Sequence, residues 1–294
     1  MRIAVTGATG FVGRQVVSRL DERGSQIHLL GRTAPRSSPG KFFQWDSLSA
    51  DPPLTALEGV EAVIHLAGEP VSQRWDAEVK RRIRASRVTG TNSIVEAMRQ
   101  TGTRTLVSAS AIGYYGSRGD EELTEQSKPG VGYLPEVCVE WERAAQQAEA
   151  FGARVATLRI GIVLGKGGGA LEKMIPPFKA CVGGVLGSGR QWMSWIHVDD
   201  IVGLLLHGLD GAKVRGPYNG TAPNPATNAS FTKQFARALH RPAIFPVPEF
   251  ALKALYGEMA GVILGSQRVL PKAAAETGYS FRYPRLAEAL DAAL

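Results

Sequence analysis

The residues with the clearest chemistry stand at the start of the chain, in Gly7-Ala8-Thr9-Gly10-Phe11-Val12-Gly13. Glycines at this spacing permit a tight turn, let the backbone approach a pyrophosphate, and let a following helix pack closely on the preceding strand. A helix beginning near Phe11 would turn its free N–H groups and positive dipole end toward phosphates. A glycine triplet is weak alone, and its context gives it weight. An apolar, β-branched run from Arg2 to Thr6 precedes it, and Phe11 to Arg23 follows with helical spacing up to Gly24. The arrangement predicts a dinucleotide site.

A second position selects the dinucleotide. An NAD site usually carries an acidic residue about 20 residues past the glycines for the ribose 2′-hydroxyl. Here the chain reads Leu29-Leu30-Gly31-Arg32-Thr33, with no carboxylate. A carboxylate would repel a 2′-phosphate, whereas Arg32 can pair with one through two parallel hydrogen bonds. The expected cofactor is therefore NADP(H). His65-Leu66-Ala67-Gly68 ends a further apolar run, where the backbone would pass beneath the adenosine ribose and pyrophosphate. Arg87, on the basic helix that follows, could reach a phosphate.

These residues need a scaffold that gathers strand ends. Gln26 to Leu30, Ala62 to Ala67, Thr105 to Ala109 and Arg154 to Ile160 read as further buried strands, separated by helical or loop segments. Repetition of strand and helix implies a parallel sheet covered on both faces, hence an α/β, Rossmann-type doubly wound fold. Beyond about Gly165 the rhythm loosens into the glycine-rich stretches Gly167 to Gly169 and Gly183 to Gly189. A strand-like Met193 to Val198 then precedes a helix from Ile201 that Asp199 or Asp200 could cap. Prolines between 217 and 248 mark a change of architecture, and helical patterns recur at Phe231 to Leu239, Glu249 to Tyr256 and Leu286 to Leu294. The expected organisation is a Rossmann domain over 1–240, with a substrate-lobe insertion around 166–190, and a small, mostly helical C-terminal lobe over 241–294.

With 294 residues, 44% hydrophobic and 21% charged, the chain has globular composition, which excludes wholesale disorder and a fibrous rod. No apolar run approaches the roughly 18 to 20 residues that span a bilayer, and the N-terminal apolar stretch is too short for a signal peptide. Cys138 and Cys181 are too few for a disulfide framework or a cysteine zinc cage. The expectation is a cytoplasmic protein that does not bind membrane. The net charge of +7 suits an anionic partner. Its one dense cluster, Lys80 to Arg87, reads as the basic face of a helix with Trp75, Val79 and Ile83 at a spacing of four. Without interleaved aromatics it does not indicate nucleic-acid binding. His197, Asp199 and Asp200 alternate faces of one strand, so no metal site is expected. Trp192 and Trp195 sit at strand spacing, where core packing is the default over lining a substrate pocket.

Taken together, the motifs resemble the extended short-chain dehydrogenase/reductase superfamily. The chain resembles in particular its atypical, sugar-nucleotide-epimerase-like branch that carries a C-terminal domain of unknown function. The matching segments are the glycine motif, His65-Leu66-Ala67-Gly68, Ser86-Arg87-x-x-Gly90-Thr91, Trp141-Glu142 and Leu158 to Gly165. Pro176-Pro177-Phe178, Gly187-x-Gly189-x-Gln191, Trp195 to Ile201, Gly216-Pro217-x-Asn219 and Gly265 to Lys272 complete the match. The resemblance implies NADP(H) binding, with Gly7, Thr9, Gly10, Phe11, Val12 and Gly13 on the pyrophosphate. By the same resemblance Gly31 and Arg32 face the 2′-phosphate, Leu66 and Ala67 the ribose, Gly68 belongs to the cofactor site, and Arg87 makes a further polar contact. It names no substrate.

Catalytic members of that superfamily use a Tyr-x-x-x-Lys pair with an upstream serine, the lysine lowering the tyrosine pKa. This chain departs from the pattern. Tyr133 is followed four residues later by Val137, and Cys138 with Glu142 has the spacing but the wrong chemistry. A carboxylate beside a thiol raises its pKa. Counting back four from Tyr115 gives Ala111, so Ser110 is the nearest hydroxyl. Ser110, Tyr114, Tyr115 and Cys138 are the candidate catalytic residues, with packing roles open for each. Two functions remain: an NADP(H)-dependent oxidoreductase or epimerase acting on a small molecule, or a non-catalytic NADP(H)-binding sensor. A helix face of the Rossmann lobe could support a homodimer.

Overall fold

The apolar runs of the first half become neighbours in one sheet. The structure is a computed structural model and describes residues 1–48 and 51–294. In chain order, β1 (Arg2–Thr6), α1 (Phe11–Glu22), β2 (Gln26–Gly31) and β3 (Lys41–Gln44) are followed by β4 (Ala62–His65), α2 (Ala77–Thr101) and β5 (Thr105–Ala111). A short β6 (Glu122–Leu123) precedes α3 (Tyr133–Gln146), β7 (Arg154–Ile160) and β8 (Ile162–Leu164). Then come α4 (Gly169–Lys179), β9 (Trp192–Met193), β10 (Trp195–His197), α5 (Val198–Asp210) and β11 (Gly216–Gly220). The chain ends through β12 (Ala226–Thr227), α6 (Asn228–Ala238), α7 (Glu249–Tyr256), α8 (Ala260–Leu264), β13 (Arg268–Val269), α9 (Lys272–Glu276) and α10 (Leu286–Ala293).

The central sheet has seven strands in the order β11-β7-β5-β4-β1-β2-β3, every pairing parallel. Strand order reverses between β1 and β4, and a doubly wound sheet opens its ligand crevice at that switch point. Both faces are covered, as all-parallel pairing requires. Val16 and Leu20 of α1 pack with Ile201, Leu205 and Leu209 of α5 on one face. Ile94 and Met98 of α2 pack with Ala145 of α3 on the other. A third apolar cluster joins Leu171, Phe178, Trp195, Phe231 and Phe235 to Leu286 and Leu290, so the small lobe draws its core from both sides of residue 240.

Four local outcomes differ from the sequence pattern. The edge strand β3 has only four residues, and β11 carries Gly216 and Pro217, residues that read as a turn; Pro217 is tolerated because β11 pairs on one side only. Helix α4 forms between the two glycine-rich stretches, beginning at Gly169, and Pro176 and Pro177 fall near its C-terminal end. The strand expected over Met193 to Val198 is two short strands, and α5 begins at Val198, not Ile201. Its cap is His197, whose Nδ1 accepts from the Asp199 N–H, so neither aspartate caps it. Asp200 is fully buried and accepts from the Arg282 and Tyr283 N–H groups and the Tyr279 hydroxyl, which fastens the C-terminal segment to α5.

The basic face of α2 is consumed in ion pairs. Lys80 meets Glu258, Arg81 meets Glu78, Arg82 meets Glu69, and Arg84 meets Glu136 and Glu140. Among the described residues, no helix is long and apolar enough to cross a membrane.

Candidate functional site

A cavity of about 220 Å³ opens at the switch point. It brings together Gly7, Thr9, Gly10, Gly31, Arg32, Leu66, Ala67 and Gly68, eight of the residues singled out in the sequence. Gly7 has φ +66°, and a Cβ there would stand 2.8 Å from the Leu66 carbonyl carbon. A Cβ on Gly13 would stand 2.1 Å from the Gly7 carbonyl oxygen, so the first turn of α1 can sit this close only without a side chain. Phe11, Val12 and Gly13 form that first turn and leave its N–H groups facing the crevice end of β1. Arg87 lies behind the wall, its guanidinium 3.3 Å from where a Gly68 side chain would begin. Its Nη1 donates to the Glu69 carbonyl at 2.9 Å, and its guanidinium sits 5.0 Å from the Trp141 ring centre.

The wall after β4 is held by three residues, Thr6, His65 and Thr91, to which the sequence motifs gave no role of their own. The Thr6 hydroxyl accepts from the Leu66 and Ala67 N–H groups at 3.0 and 3.1 Å. Its proton must therefore point to His65 Nδ1, 2.8 Å away, which places the imidazole proton on Nε2, donating to Thr91 at 3.1 Å. Burial holds the His65 pKa down at about 4. The folded protein thus refuses a proton that the unfolded chain accepts between pH 6.5 and 4. Stability is unaffected above pH 6.5 and falls as pH drops through this window, by about 3 kcal/mol in all, with no further loss below it. Urea midpoints across the window should show this slope in the wild type and a flatter one in His65→Gln; equal slopes would contradict the assignment.

Arg32 is exposed on the cavity rim and has no hydrogen bond or ion pair to any described residue. Asp46, just past β3, lines the same cavity; one of its carboxylate oxygens accepts from the Leu48 N–H at 3.0 Å. Glu69, Pro70 and Ser86, from segments that carry the family resemblance, line it too, as do Trp45, Ser47 and Leu48, which no motif announced.

The residues beside the cavity form a buried polar network. Cys138 and Glu142 lie one turn apart on α3. Arg159 of β7 grips the Glu142 carboxylate through Nε and Nη2, both at 2.8 Å, and Ser110 donates to it at 2.7 Å. Ser110 and Arg159 are register partners on β5 and β7, which puts both side chains on the α3 face. Arg159 Nη1 also donates to the Tyr115 hydroxyl at 2.9 Å, and that hydroxyl donates to Asn219 at 2.7 Å. Tyr115 is fully buried, and burial pushes its phenol up to about 12. Burial, reinforced by the Glu142 carboxylate, pushes the Cys138 thiol up to about 12 as well. Tyr114 differs: it is half-buried, and the Arg159 guanidinium lies 3.5 Å from its ring centre. At neutral pH the buried phenol and thiol keep their protons, and the network's cation is already neutralised by its carboxylate.

The C-terminal segment closes this wall. β13 pairs with β6, and Gln267 donates to the Ile112 carbonyl at 2.7 Å, two residues before Tyr114. Trp195 is core, whereas Trp192 donates to Asp120 and stacks under Arg268. His197, Asp199 and Asp200 serve the start of α5 and the tail, Asp199 pairing with Arg282.

Residues 3–219 match the NAD dependent epimerase/dehydratase family. The chain belongs to that family. Residues 247–293 match a domain of unknown function, DUF1731. The epimerase family protein SDR39U1 homolog, chloroplastic, of Arabidopsis thaliana is 44% identical over 99% of this chain and 86% of its own. Epimerase family protein YfhF of Bacillus subtilis is 38% identical over 99% of this chain and 97% of its own. Among solved structures, the human epimerase family protein SDR39U1 with NADPH superposes with a TM-score of 0.88 at 32% identity, covering 100% of this chain and 99% of that one. Within an epimerase/dehydratase fold, then, this chain carries a locked carboxylate–guanidinium pair on the wall where a tyrosine–lysine pair was sought.

Proposed function

We propose that the protein binds NADP(H) in the cavity at the switch point and acts as an oxidoreductase or nucleoside-diphosphate-sugar-epimerase-like protein on a small molecule, in the cytoplasm. The observation that carries the reading is Arg32, a cation on the cavity rim at the end of β2 with no partner among the described residues, where an NAD site would place a carboxylate. The relative solved with NADPH supports the same cofactor. In this reading Arg32 pairs with the 2′-phosphate, Asp46 accepts from the exocyclic amine of the base, and the turn from Gly7 to Gly13 takes the pyrophosphate. Bound there, the nicotinamide would supply hydride transfer. The chain's own part is to bind and orient it, and to move a proton at the wall formed by β5 and α3.

A specific observation favours a second reading, a non-catalytic NADP(H) sensor. Glu142 stands four residues after Cys138, the spacing of the absent tyrosine–lysine pair, and Arg159 and Ser110 engage its carboxylate. The two readings separate when NADPH-loaded protein is offered a panel of carbonyl compounds and sugar nucleotides. NADPH oxidation or stereochemical inversion supports the enzyme. Tight binding with neither supports the sensor and rejects the enzyme.

A further inference from the structure

The loop between β4 and α2, residues 66–76, faces two ways. Its first part, Leu66 to Pro70, is cavity wall. The loop is stiffened from within. Gln73 donates to the Pro70 carbonyl at 2.6 Å and to Glu69 at 3.2 Å, and Trp75 donates to the Val71 carbonyl at 2.8 Å. Glu69 is also tied to Arg82 and, through its N–H, to Ser86. A displacement at Ser72 to Arg74 must therefore move Glu69 and Pro70.

That far part is clasped from outside the Rossmann layers, twice. Lys173 of α4 donates to the Ser72 hydroxyl at 2.9 Å and to its carbonyl. Arg74 donates to the Ala254 and Leu255 carbonyls at 2.8 and 3.3 Å, at the C-terminal end of α7, where unpaired carbonyls and the helix dipole favour a cation. The N-terminal end of α4, about one turn before Lys173, is docked on the pyrophosphate turn. Arg14 donates to the Gly167 carbonyl at 2.6 Å, and the Phe11 ring fills the space a Gly168 side chain would need, 2.2 Å from its Cβ position. The start of α4 thus touches both the turn after β1, through Phe11 and Arg14, and the loop after β4, through Ser72.

We propose that Lys173 and Arg74 are positioning residues that retain the bound dinucleotide by holding the Glu69–Pro70 wall closed through this loop. The proposal rests on the reading of the cavity as an NADP(H) site. Neither side chain lines the cavity, and both are exposed, so each tie is weak enough to open for exchange. The test is stopped-flow release of NADPH, chased with excess NADP⁺, from wild type, Lys173→Ala/Arg74→Ala, and Lys173→Arg/Arg74→Lys. Loss of both ties should raise the NADPH dissociation rate about tenfold while the association rate changes by less than about twofold. The conservative pair should recover most of the difference, and urea midpoints of all three should agree. A dissociation rate within about twofold of wild type would overturn the proposal, as would a rise that the conservative pair fails to reverse. A wild-type protein that takes up no NADPH would reject the cofactor reading itself, a result visible before any variant is made.

Discussion

Arg32→Ala should weaken NADPH binding by about ten- to a hundredfold and leave NADH affinity within about twofold. The reasoning is a difference of contacts. A hydrogen bond to a charged group contributes about 1.5–3 kcal/mol, and 1.4 kcal/mol is tenfold in affinity. Among the described residues Arg32 has no partner, so its removal breaks no ion pair to them and should leave the fold intact. The loss must then come from the ligand's 2′-phosphate, which NADH lacks. Arg32→Lys should recover part of the affinity, because a point charge replaces a planar fork. Equal losses for both dinucleotides, read by titration of cofactor fluorescence, would remove Arg32 from the 2′-phosphate site.

The largest effect on stability is expected at Glu142. Arg159 and Glu142 are 2% and 5% exposed, and Glu142→Leu would leave a buried guanidinium without its carboxylate. Breaking a buried pair on one side costs about 3–5 kcal/mol, whereas replacing both partners with apolar residues is often close to neutral. Arg159 also donates to Tyr115, and Tyr115 to Asn219, so the double replacement Glu142→Leu/Arg159→Leu should recover only part of that cost. Urea denaturation of the two singles and the double measures the coupling directly. A single-variant cost below about 1 kcal/mol would mean that the pair is solvated, against its burial.

How the site came to be partly legible follows from the kind of signal each residue carries. Gly7 and Gly13 are readable because their role is local: a strand, a turn and a helix within a dozen residues dictate where a side chain cannot be. Arg32 is readable because strand length alone carries it to the same end of the sheet. The alternation that predicts β1, β2, β4, β5 and β7 is equally local, while β11 hid behind its glycine and proline at the sheet edge. The Thr6–His65–Thr91 chain and the Ser110–Glu142–Arg159–Tyr115–Asn219 network had no such signal. Their hydrogen-bonded partners lie 17 to 104 residues apart, and only the packing of helices on the parallel sheet brings them into contact. Asp46 and the wall from Trp45 to Leu48 reach the cavity because β3 extends the sheet by one short strand. The basic cluster on α2 was legible as a helix face but its partners were not: it pairs with acidic residues from the loop before α2, from α3 and from the segment after α7.

The missing tyrosine–lysine pair was visible in the sequence, but its replacement was not. Only the structure shows that Arg159, delivered from β7, satisfies the Glu142 carboxylate one turn after Cys138, and that it also lies over Tyr114. The consequence is that the cofactor site stands independently of the question of turnover.

The most direct test of the account is therefore equilibrium titration of the wild-type protein with NADPH and NADH at the same ionic strength. Saturable NADPH binding, tighter than NADH by at least about tenfold, is the predicted result. Equal affinity for both, or no binding of either, would contradict it.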